Sequence, residues 1–76
     1  MNISDLEKRL QARHIREDMY CLNGGSSNES YCLNQADRNW EVYYSERGQK
    51  TNLKTFADEN SACEYLYNLI MRDVGN

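Results

Sequence analysis

The stretch WEVYYSERG, residues 40–48, governs how the rest of the chain is read. Trp40, Val42 and Tyr44 share one parity, and Glu41, Tyr43 and Ser45 the other. A period of two is that of extended backbone, whose successive side chains point to opposite faces of a sheet. Gly48 supplies a turn residue at its end. The first parity is expected to face the core. Glu41 and Tyr43 are expected to face away from it.

The segments on either side supply the remaining strands. YCLN occurs twice, at residues 20–23 and 31–34, around a Gly/Ser/Asn loop at 23–29, and both copies read as short half-buried strands. QADRN at 35–39 and RGQKTN at 47–52 read as turns, and LKTFA at 53–57 as a fourth strand with Leu53 and Phe56 as its anchors. Consecutive strands on short connections pair antiparallel.

Helices are expected at both ends. SDLEKRLQARHI, residues 4–15, opens with Ser4 and Glu7 in the spacing of a capping box and places Leu6 and Leu10 on one stripe. DENSACEYLYNLIMRDV, residues 58–74, begins at Asp58, a good N-cap, and carries Ala62, Leu66, Leu69 and Ile70 on a broad apolar face. The fold class is therefore α+β in the order α-β-β-β-β-α. It is a two-layer sandwich, with an antiparallel sheet of about four strands and both terminal helices on one face.

Size and charge bound the function. With 76 residues the chain is one domain, with no room for a deep cavity of several hundred Å³ beside its own core. The net charge is −3, and no Lys/Arg-rich segment forms the basic face that direct nucleic-acid binding needs. Three cysteines, Cys21, Cys32 and Cys63, are an odd number without CxxC spacing, which points to a reducing compartment. No apolar run is long enough to span a membrane, and the opening residues lack the pattern of a secretory signal. The expected location is the cytoplasm.

No catalytic constellation emerges. His14 is the only histidine and has no second ligand at metal spacing, so no metal site is expected. Glu41 and Glu46 differ in parity and would point to opposite faces, which does not suit a paired-carboxylate hydrolase. NGGSSN has the glycines of a phosphate loop but not their order, so no cofactor is expected. A thiol-dependent factor using Cys63 or Cys32 remains an alternative, as does a regulatory adaptor binding protein or RNA. Tyrosines beside carboxylates on a sheet face otherwise suit protein recognition, since tyrosine offers rigid area with a polar tip. Cross-strand packing of those tyrosines would account for them equally well.

The motifs NESYCL at 28–33, WEVYYSERG at 40–48 and FADENSACEY at 56–65 together resemble a group of small bacterial proteins. Proteins of that look are encoded with secreted polymorphic toxins, of contact-dependent inhibition or Rhs type, and are assigned as immunity proteins. The resemblance implies a cytoplasmic, non-enzymatic inhibitor of one cognate toxin domain, often a nuclease. Nucleases are basic around their substrate cleft, so an acidic inhibitor gains fast encounter. The candidate partner-binding residues are Glu29, Asp37, Glu41, Tyr43, Glu46 and Arg47.

Overall fold

The computed structural model describes residues 1–22 and 29–74. Helix α1 spans Ile3–Ala12, and a single 3-10 turn at Glu17–Met19 leads into β1, Tyr20–Cys21. Strands β2 (Ser30–Ala36), β3 (Asn39–Glu46) and β4 (Gln49–Phe56) follow, and α2 covers Glu59–Val74. The order is α-β-β-β-β-α, and the four strands form one sheet in the order β1-β2-β3-β4. Strands β2, β3 and β4 form an antiparallel meander.

One pairing corrects the sequence reading. Strand β1 runs parallel to β2, so the sheet is mixed rather than wholly antiparallel. The register sets the two YCLN copies abreast, Tyr20 beside Tyr31 and Cys21 beside Cys32. A strand of two residues gains little from its ladder. Its setting follows instead from the burial of Tyr20 and Leu22, both packed against the core. The expected loop tip at 23–28 lies outside the described residues.

The second hairpin is tighter than its sequence suggests. Arg47 and Gly48 both have positive φ, 52° and 79°, as a two-residue type I′ turn requires. Residues 49–52, read as turn, therefore belong to β4. At Gly48 an added methyl would meet nothing within 4 Å, so only the left-handed backbone favours glycine there. Further along, Val42 pairs with Lys54 but Tyr44 with Thr51, which leaves Asn52 and Leu53 opposite Tyr43. This is a β-bulge, with Asn52 at φ 54°, on the outer strand of the sheet.

The expected capping box at Ser4 is replaced by two other contacts. Asn2 Oδ1 accepts from the Asp5 N–H at 2.8 Å, and the Ile3 N–H donates to Glu59 Oε2 at 2.8 Å. The cap is thus Asn2, two residues before Ser4, and a carboxylate from the other helix satisfies a further first-turn donor of α1. At its far end α1 closes in a Schellman arrangement. Ile15 N–H reaches Leu10 O, His14 N–H reaches Gln11 O, and His14 takes the left-handed conformation at φ 60°. His14 is thereby explained as a helix stop. Helix α2 starts where the sequence places it, with Asp58 Oδ1 accepting from the Ser61 N–H at 2.7 Å.

The Met1 amino group bonds to Asn60, Ile3 to Glu59, and Arg13 Nε to Met71 Sδ. The two helices therefore lie side by side and run in the same direction. Leu6 and Leu10 of α1, Leu33 and Val42 of the sheet, and Ala62, Cys63, Leu66 and Ile70 of α2 form one fully buried cluster. Trp40 and Phe56, paired across β3 and β4, pack against it. Each large aliphatic side chain so buried contributes about 1.5–3 kcal/mol.

Candidate functional site

Beside that core, on the helix-covered side of the sheet, lies a groove of about 460 Å³. Its floor is the cross-strand pair Tyr31 and Tyr44, whose ring centroids are 4.9 Å apart at 61°. Its wall is one stripe of α2, Tyr65, Leu69 and Asp73, spaced four residues apart and hence on one helical face. The bulged strand adds Asn52 and Lys54. The site is an open groove rather than the deep cavity that the chain's size excludes. The space lies between a helix flank and the outer strand, and it takes no volume from the core.

The lining carries one carboxylate, Asp73, and one ammonium, Lys54, and further carboxylates act on its tyrosines. Burial first, and then the Asp73 carboxylate, push the Tyr31 phenol up. Burial, followed by Glu29, Glu46 and Asp73, raises Tyr44. Three carboxylates from three separate parts of the chain therefore converge on one tyrosine. They favour protonated phenols, whose hydroxyls remain donors at neutral pH. Aromatic faces backed by carboxylates suit a cationic or donor-rich group.

The structure divides the six sequence candidates. Glu29 and Glu46 both act by charge on Tyr44 of the groove, and Arg47 stands exposed in the turn after Glu46. Asp37 is exposed in the turn between β2 and β3, at the opposite end of the sheet. Glu41 and Tyr43 lie on the other face, as their parity requires, but they are engaged there. Lys50 Nζ sits 4.8 Å from the centre of the Tyr43 ring and 3.4 Å from Glu41 Oε1, which also accepts from Asn34 Nδ2 at 3.3 Å. Tyr43 is only 5% exposed and offers a partner no ring surface.

Sequence reasoning missed Tyr44 as a groove residue, and with it Tyr65, Leu69, Asp73, Asn52 and Lys54. The i, i+4, i+8 stripe at 65, 69 and 73 is the signal that could have found the wall. It runs beside the Ala62–Leu66–Ile70 core stripe and carries one ring, one aliphatic and one charge.

Neither Cys63 nor Cys32 is activated as a thiolate. Burial first, then Glu59, push Cys63 up to about 11, and burial raises Cys32 as well. A helix N-terminus alone would lower the Cys63 thiol; desolvation of a fully buried sulfur outweighs it. Among the described residues no three His, Cys, Asp or Glu are grouped to hold a metal ion.

Compared with models of known protein families, with curated proteins and with solved structures, the chain has no match in any of the three. Among the described residues no helix is long and apolar enough to cross a membrane.

Proposed function

We propose that this protein is a binding module that neutralises a basic toxin domain, as an immunity protein in the cytoplasm of the producing bacterium. The observation that carries the reading is the tyrosine groove, lined by Asp73 and with Glu29 and Glu46 acting on its Tyr44, on a chain of net charge −3. Tyrosines held edge to face against each other lose little rotamer entropy on binding, and nearby carboxylates steer a cationic surface toward them. A nuclease domain, basic around its phosphate-binding cleft, is the partner this chemistry fits best. The same acidity opposes direct binding of RNA to the tyrosines, since the backbone phosphates would meet the carboxylates first.

The test is co-expression with a toxin domain encoded beside this chain, scored by growth rescue and by isolation of the complex. Rescue and a stable complex that weaken on Tyr44→Ala support the reading. Toxicity unchanged by co-expression, with no complex formed, would refute it.

A further inference from the structure

The parallel register of β1 and β2 has a chemical consequence on the face opposite the groove. Cys21 and Cys32 are directly paired across the two strands, and each is a thiol rather than half of a disulfide. Adjacent strands lie about 4.8 Å apart, and paired residues point to the same face. That separation lies within the roughly 4.4–6.8 Å over which Cα atoms are bridged by a disulfide. The two thiols also interact as hydrogen-bond neighbours.

Their settings are unequal. Cys32 is fully buried in the central part of the sheet, with Ser30 Oγ at 3.6 Å from its sulfur. Cys21 is half-buried on a strand of two residues at the sheet edge. Cys21 is the more exposed of the two residues, and Cys32 is closed off from solvent. Cys63 is remote from both, in the core under α2.

We propose that Cys21 and Cys32 are a reversible redox pair, closed by peroxide into a disulfide that staples β1 to β2. The Cys21 thiolate attacks one oxygen of hydrogen peroxide; the O–O bond breaks, hydroxide leaves, and Cys21 becomes a sulfenic acid. The Cys32 sulfur, losing its proton, attacks that sulfur and expels the oxygen as water. Overall two thiols and one peroxide give one disulfide and two waters. A dithiol reverses the reaction by exchange. The gain on closure is ordering of the weakest strand in the sheet, since two residues of ladder hold it otherwise.

The test treats the folded protein with hydrogen peroxide and counts thiols after denaturation, alongside intact mass and peptide mapping. The expected result is a fall from three thiols to one, a mass lower by two hydrogen atoms, and a linked pair of peptides containing Cys21 and Cys32. The melting temperature should rise on the order of 10 °C and return after dithiothreitol. Cys63→Ala should retain the mass loss, whereas Cys21→Ser should keep two thiols and stay monomeric. A disulfide through Cys63, one between molecules, or oxygen addition without the lighter species would overturn the proposal.

Discussion

The two faces of the sheet carry the same residue type and put it to different uses. On the helix side Tyr31 and Tyr44 meet edge to face beside a stripe of α2 and line an open groove. On the other side Tyr43 is enclosed, with Lys50 over its ring and Glu41 holding the lysine. Parity along β3 therefore assigns each tyrosine to a face, but not its availability. Availability depends on what the neighbouring strand contributes. Lys50 of β4 covers one ring, while Asn52 and Lys54 of the same strand line the groove beside the other two.

Replacing adjacent buried residues that point opposite ways sharpens the comparison most. Leu33, in the helix-side core, and Cys32, on the far face, are both fully buried. Leu33→Ala should cost about 3 kcal/mol, a large share of the roughly 4–11 kcal/mol available to a domain this size. Cys32→Ala should cost about 1 kcal/mol. Urea denaturation checks both, and equal losses would mean that the two faces are packed alike.

Alkaline titration acts on both faces, since burial also raises Cys32 and Tyr43 on the far side. Cys63 sits on the helix side with its pKa raised from 9.0 to about 11. Its protonated form is favoured by folding, so its contribution is complete below pH 9 and is lost as pH rises through 11. The phenols of Tyr31 and Tyr44, raised above 10.0, act in the same direction. Stability should fall steeply above pH 9, and Cys63→Ala should remove the first part of that fall. An unchanged pH profile in the variant would contradict the burial of this thiol.

Smaller effects belong to the hairpin and the far face. Gly48→Ala should cost about 1 kcal/mol through backbone strain alone, because a methyl there has room. Lys50→Ala should cost about 0.5 kcal/mol, since the lysine is half exposed and its ion pair and ring contact are partly screened. It should also open the Tyr43 ring to solvent, read as increased tyrosine accessibility in solvent-perturbation spectra.

What the sequence disclosed follows the range over which each signal acts. The alternation from Trp40 to Ser45 and the Asp58 cap of α2 are local, and both stand in the structure. The cap of α1 is Asn2, bonded to the Asp5 N–H, a signal as local as the Ser4 and Glu7 spacing that competed with it. Only the added contact from Glu59 is distant in the chain. Arg47 at positive φ gives no sign of a type I′ turn, which hid the first half of β4. The direction of β1 rests on burial of its flanks rather than on its own two residues. The groove is less legible still, because it needs a helix stripe, a cross-strand pair and a bulge together. Glu29 and Glu46 were singled out as carboxylates, but their convergence on Tyr44 follows from the β2–β3 register, which sets Ser30 against Ser45.

The central claim is that the tyrosine groove, and not the face bearing Tyr43, meets the partner. Affinity for the proposed toxin partner should be measured for the native chain, for Asp73→Lys on the groove and for Lys50→Ala on the far face. A loss of about tenfold or more for Asp73→Lys, corresponding to about 1.4 kcal/mol, with little change for Lys50→Ala, is the predicted result. Undiminished affinity in Asp73→Lys, or a loss confined to Lys50→Ala, would contradict it.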